Sequence, residues 1–258
     1  MGIINVTPDS FSDGGEFTTT ETIAAQGRQM LSAGVDIIDI GGESSRPFAE
    51  PVTLHEELAR VIPAIRILRG QSTIPISIDT TKAEVARQAI KAGADIINDI
   101  SALRFDAEML EVARTQAAPI IIMHMQGKPA DMQINPAYND IIEDTLDFFR
   151  QRLQWLTANG IAPEKIIVDP GIGFGKTMAH NLTILNRLRD YQELGCPVLV
   201  GHSRKSFMSR LLGENIDRDC ATAAIAALCV SRGAAVIRVH NVKKTKEAVR
   251  LTQAIQSA

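Results

Sequence analysis

Short apolar runs recur along the chain, and each gives way to polar residues at its C-terminal end. The runs are residues 3–4 before Asn5, 35–40 before Gly41, Gly42 and Glu43, 76–78 before Asp79, and 96–97 before Asn98. Four more follow: 120–123 before His124, 166–168 before Asp169, 198–200 before Ser203, Arg204 and Lys205, and 236–237 before Arg238 and His240. Helical patterns fill the gaps, at 21–33, 54–69, 82–92, 106–116, 140–158, 179–194, 221–232 and 243–256. Eight strand–helix units predict an α/β fold, a single closed (β/α)8 TIM barrel. Runs rich in Ile and Val suit parallel strands covered on both faces. Their polar ends then meet in one mouth, where such barrels carry active sites. An open doubly wound sheet shares part of the pattern, but eight units and eight polar ends favour closure.

The length of 258 residues matches one such barrel, so one domain is expected over 1–258. The first strand starts at residue 1, which predicts an open barrel bottom or a missing short N-terminal segment. A hydrophobic content of 45% with 22% charged residues is ordinary for a globular chain. A net charge of −3 argues against nucleic-acid binding, but not against a small anionic substrate, which a local cation cluster can hold. Cys196, Cys220 and Cys229 are odd in number and lack CxxC spacing. They predict a reducing, cytoplasmic setting without disulfides or a Cys-rich zinc site. No apolar run is long enough for a membrane span.

The candidate chemistry lies at the strand ends. Residues 5–15 form a polar loop with Asn5, Asp9, Phe11 and Asp13, of a kind that closes over substrates. Asp79, Asn98 and Asp169 end three different strands and together suit a flat heterocycle with an amidine-like N–H edge, such as a pterin or purine. Arg46, Lys205, Arg238 and His240 form a cationic set fitted to phosphate or pyrophosphate. Gly175-Lys176-Thr177 imitates the end of a P-loop, but Pro170 occupies the place of that motif's first glycine. His124 has no metal-ligand neighbour at helical or loop spacing, so it reads as a packed or hydrogen-bonding His. No triad or pair of catalytic carboxylates is evident, so the site reads as one for positioning and charge stabilisation.

Segments 1–15, 41–47, 78–80, 98–100, 169–176, 203–207 and 238–240, in that order, resemble the motifs of dihydropteroate synthase. The resemblance implies a transferase that joins dihydropterin pyrophosphate to 4-aminobenzoate through a pterin-cation-like step, assisted by Mg²⁺, in a homodimer. It assigns Asp79, Asn98, Asp169 and Lys205 to the pterin, with Arg238 against its ring. It assigns Asn5, Arg46, Arg238 and His240 to pyrophosphate, with Asn5 near the magnesium. Phe11, Ser45, Pro47, Ser203 and Lys205 take the aminobenzoate, and Asp9 and Asp13 belong to the first loop. Ser45 and Phe48 depart from the family's usual Thr and Gly, and Asn241 from a common Asp. Two alternatives are a methyltransferase that binds a methyl-folate and a catalytically silent pterin-binding paralogue. The first has no need for Ser203, Arg204 and Lys205 together with Arg238 and His240.

Overall fold

The computed structural model describes residues 1–7, 16–45 and 50–258, with backbone only for 16–19. The expectations for Asp9, Phe11, Asp13, Arg46, Pro47 and Phe48 therefore lie outside the described residues. The elements alternate from the start: β1 (Gly2–Asn5), α1 (Glu16–Ser32), β2 (Ile38–Gly41), α2 (Leu54–Arg69), β3 (Ile76–Asp79), α3 (Ala83–Ala92), β4 (Ile96–Asp99) and α4 (Met109–Gln116). They continue with β5 (Ile120–Met123), α5 (Ile141–Ala158), β6 (Ile166–Asp169), α6 (Met178–Asn186), β7 (Leu199–Val200), α7 (Ser206–Leu212), α8 (Arg218–Ser231), β8 (Val236–Ile237) and α9 (Val242–Gln256).

The strands are parallel and neighbours in chain order. Strands β1 to β6 form one sheet and β7 pairs with β8. Single bridges join the two pieces, Val168 beside Val198 and Gly2 beside Val239. Hydrogen bonds from Val168 N to Pro197 O (3.0 Å) and from Ile3 N to Val239 O (3.0 Å) carry those seams. The circle is closed, and the fold is a (β/α)8 barrel.

Alternation along each strand sorts the side chains into two cores. Ile38, Ile40, Ile76, Ile78, Ile97, Ile120, Ile122, Ile166 and Val168 face the helices and pack in the large core between strands and helices. The other face fills the lumen. There Met1, Ile96, Ile121 and Leu199 cluster with Ile37, Ile167 and Val236 into an apolar floor. Above the floor the register runs Asn5–Gly41–Asp79–Asn98, a row of mostly polar residues at the mouth.

Local signals explain the helix boundaries. A capping box between Thr53 and Glu56 starts α2, and Asp140 caps α5 through Ile142 N (2.8 Å) and Glu143 N (3.2 Å). Gly93, at φ 117°, ends α3 in the left-handed region. Two expectations need correction. The helix read at 179–194 is α6 followed by a separate 3-10 turn at Leu188–Leu194. Helix α7 was not anticipated, because its seven residues are too short for periodicity to register.

Candidate active site

Each short strand delivers its last inward residue to the mouth. Asp79 ends β3, Asn98 lies near the end of β4, Asp169 ends β6, and Arg238 follows β8. Arg238 binds them into one network. Its Nε donates to Asp39 Oδ2 and its Nη2 to Asp79 Oδ2, both at 2.6 Å. Asn98 Nδ2 donates to the same Asp39, at 3.3 and 3.5 Å. Asp39 was missed in the sequence because it sits within a run read as apolar. The available signal was a charge in a buried strand two positions before Gly41, on the same face.

Asp169 is buried and fixed by the turn after β6, its Oδ1 accepting from Gly171 N at 2.8 Å. Gly201 leaves room beside it: a Cβ there would lie 3.6 Å from Asp169 Oδ2 and 3.9 Å from Arg238 Cδ. The Lys205 ammonium stands 4.0 Å over the Phe174 ring. Asn5, half-buried, places its Oδ1 beside Gly41 together with Asp79 Oδ2, each 3.8 Å from where a Cβ would be. Ser45 is half-buried at the start of the stretch after β2. Ser203 is buried, and its hydroxyl meets both the backbone N (3.2 Å) and Nδ1 (2.9 Å) of His240.

Burial sets the ionisation of the pocket. It pushes Asp79 up to about 7, against the pull of Arg238 and with Asp39, Glu57 and Asp99 adding to the rise. It raises Asp169 to about 6, opposed by Gly171 N–H, Arg238, Lys205 and Lys176. It lowers Lys205 to about 8, helped by Arg238. His240 falls to about 4, from burial and the nearby Arg204, Arg238 and Lys205, so it is neutral at physiological pH. The pocket therefore offers acceptors and cations whose charge a ligand can shift.

Three motif residues play parts the sequence did not separate. Lys176 is buried in the loop after β6, bonded to His124 Nδ1 (2.9 Å), His124 O (3.2 Å) and Phe174 O (3.0 Å). Thr177 caps α6. Arg204 pairs with both oxygens of Asp219 on α8, at 2.7 and 2.9 Å. His124 stacks edge-on against Phe148, and among the described residues no three His, Cys, Asp or Glu side chains gather at metal-binding distance.

A (β/α)8 barrel with acidic, amide and cationic side chains converging at its C-terminal mouth has the build of an enzyme of this fold, whose active sites lie at that end. The family of pterin binding enzymes matches residues 1–240. The dihydropteroate synthase of Synechocystis sp. is 48% identical over 99% of this chain and 89% of its own. The Xanthomonas albilineans dihydropteroate synthase solved with 4-aminobenzoic acid superposes with a TM-score of 0.94 at 43% identity, covering 100% of this chain and 93% of that one. The Yersinia pestis dihydropteroate synthase in a sulfonamide drug complex gives a TM-score of 0.93 at 43% identity, with coverages of 100% and 94%. The chain belongs to the pterin binding enzymes and, among them, to the dihydropteroate synthases.

Proposed function

We propose that the barrel mouth joins 6-hydroxymethyl-7,8-dihydropterin pyrophosphate to 4-aminobenzoate, giving dihydropteroate and pyrophosphate. The observation that carries this reading is the convergence of Asp79, Asn98, Asp169, Lys205 and Arg238 at the C-terminal mouth of the barrel, above an apolar floor. Asp169 and Asp79 accept hydrogen bonds from the pterin N–H edge, Asn98 adds an amide contact, and Lys205 donates to a ring acceptor. The flat face of Arg238 lies free against the ring, since its bonds to Asp39 and Asp79 run in the guanidinium plane.

The methylene C–O bond breaks as pyrophosphate leaves, and the electron-rich ring takes up the developing positive charge. The aminobenzoate nitrogen then forms the new C–N bond and gives up its proton. An arylamine is neutral at pH 7, so no strong base is needed. Arg46, Arg238 and His240 receive the pyrophosphate. Neutral His240, held by Ser203, donates one hydrogen bond rather than a full charge. Ser45, Ser203, Pro47, Phe11 and Lys205 form the aminobenzoate side, with Asp9 and Asp13 in the first loop.

Mg²⁺ fits the donor set. One amide oxygen, from Asn5, suits a small hard cation that keeps several waters and draws its remaining ligands from substrate phosphates. When bound, the ion neutralises charge on the departing group.

We place the enzyme in the cytoplasm, a reading supported by its three free cysteines. No helix among the described residues is long and apolar enough to cross a membrane. A homodimer is supported by an apolar groove where Leu182, Phe207, Leu211, Leu212, Ile225 and Leu228 from α6, α7 and α8 meet. Leu211, Leu212 and Leu228 are more than half exposed there (54%, 60% and 52%).

The test is to incubate the protein with both substrates and Mg²⁺ and to follow dihydropteroate by mass spectrometry. Product is expected from the wild type and is expected to fall at least about 100-fold in Asp169→Ala and Lys205→Ala, as removal of a buried charged partner predicts. A folded wild type that binds the pterin substrate yet yields no product would overturn the reading and leave a silent paralogue.

A further inference from the structure

Asp39 is fully enclosed on the lumen face of β2, one row below Gly41, and has no path to solvent. It touches two residues of the pterin pocket from beneath: Arg238 Nε at 2.6 Å and Asn98 Nδ2 at 3.3 and 3.5 Å. We propose that Asp39 is a positioning residue. It aims the Arg238 guanidinium and turns the Asn98 amide so that its oxygen, not its nitrogen, faces the substrate. This deepens the pterin-site reading above and rests on it.

Matching of donors to acceptors sets both orientations. A carboxylate paired to a guanidinium offers acceptors only, whereas a primary amide has one donating and one accepting end. Asn98 can therefore present only its NH₂ end to Asp39. The opposite rotamer would set two oxygens against each other in a buried site with no proton between them, at a cost of about 1–3 kcal/mol. The amide oxygen is left for the mouth, where a pterin N–H can meet it. Arg238 is fixed by the same residue. With Asp39 on Nε and Asp79 on Nη2, the fork cannot rotate about its long axis without losing a charged bond. Asp39 thus never meets the substrate, yet decides which atoms do.

Two variants and the wild type test this. In Asp39→Asn the amide oxygen can keep Arg238 and the nearer Asn98 contact, both of which fall on Oδ2, but its NH₂ then takes the place of Oδ1 opposite the NH₂ of Asn98. The Asn98 amide is expected to flip. The dissociation constant for the pterin pyrophosphate, by titration calorimetry, should rise about 10- to 100-fold. The KM for 4-aminobenzoate should stay within about threefold of wild type, because Asp39 touches no residue assigned to that side alone. The double variant Asp39→Asn with Asn98→Asp reverses the pair. It restores an amide donating to a carboxylate, with one carboxylate oxygen facing the mouth, so pterin affinity should recover to within about tenfold of wild type. A residue that only supports the fold would lower the melting temperature and gain nothing from the reversal. Unchanged pterin binding in Asp39→Asn, or a folded double variant without recovery, overturns the proposal. Neutron diffraction of deuterated wild-type crystals with bound pterin tests it without a variant. Deuterons on the Asn98 amide are expected on the Asp39 side, and deuterons on the ligand side overturn it. A wild type that neither binds pterin nor forms product would instead sink the functional reading.

Discussion

Asp79 and Asp169 are carboxyls whose pKa rises on folding, to about 7 and about 6, chiefly through burial. Such a group favours the native state in its protonated form. Its contribution is complete below the unfolded value of about 4 and is lost as pH climbs through the folded value. Relative to Asp169→Asn, the stability of the ligand-free wild type should therefore fall between about pH 4 and about pH 6, a difference on the order of 2 kcal/mol between the two limits. The comparison isolates this carboxyl from the buried histidines, whose lowered pKa acts with the opposite sign over the same interval. A difference between wild type and variant that does not change with pH would contradict the electrostatic picture. Asn241 is a second residue whose identity has a readable cause. Its Nδ2 donates to Asp219 Oδ2 at 2.9 Å while its Oδ1 caps α9 through Lys244 N at 3.1 Å. An Asp at this position would cap the helix but face the Asp219 carboxylate without a proton to share. Asn241→Asp is expected to cost about 1 kcal/mol in urea denaturation; no measurable cost would show the Asp219 contact to be idle.

The loop after β6 behaves as one element because its backbone is held from several sides. Gln133 Nε2 donates to Gly173 O (2.6 Å), Gly173 N to Asn181 Oδ1 (2.7 Å), and the Tyr138 hydroxyl to Gly175 O (2.7 Å). Lys176 joins this loop to the end of β5 through its two bonds to His124, and ties the loop to itself through Phe174 O. Burial lowers its ammonium to about 7 despite the attraction of Asp169. Lys176→Met keeps the aliphatic stem but removes all three bonds. Amide hydrogen exchange at residues 171–175 should then speed up by at least about tenfold, the result of losing roughly 1.5 kcal/mol or more. Unaltered exchange would mean the other anchors suffice. Gly171 allows the loop to turn so close to β5: it has φ +72°, and a Cβ there would stand 2.0 Å from the His124 carbonyl oxygen. Gly171→Ala should destabilise the protein by more than about 2 kcal/mol, because both the backbone conformation and the backbone contact forbid a side chain. A urea midpoint equal to wild type would refute that close approach.

At the scale of the molecule, the apolar groove formed by α6, α7 and α8 is where a second copy would bury surface. Leu228→Glu places a charge in its middle. Sedimentation velocity should report a dimer for the wild type and a monomer for the variant at micromolar concentration. Equal sedimentation of both would place any dimer contact elsewhere.

The chain pattern by itself determined the architecture and most of the pocket. Strand-ending polar residues such as Asp79, Asn98, Asp169 and Arg238 are visible because an Ile/Val run stops at or just before each of them. Closure follows from counting units. Helix α7, at seven residues, fell below what periodicity can resolve. What sequence could not assign was direction. In strands of two to four residues, the period-two rule says which residues share a face, but not which face looks inward until neighbours are placed. Asp39 therefore passed unnoticed inside an apolar run, although its register with Ile3 and Ser77 puts it in the lumen under Arg238. Arg204 and Lys205 are adjacent in one motif, yet a left-handed backbone at Arg204 (φ 58°) turns it to Asp219 on α8 and leaves Lys205 above the pocket. Tertiary structure decided these roles because they depend on partners supplied by distant elements: Asp39 and Arg238 are 199 residues apart in the chain and 2.6 Å apart in the barrel.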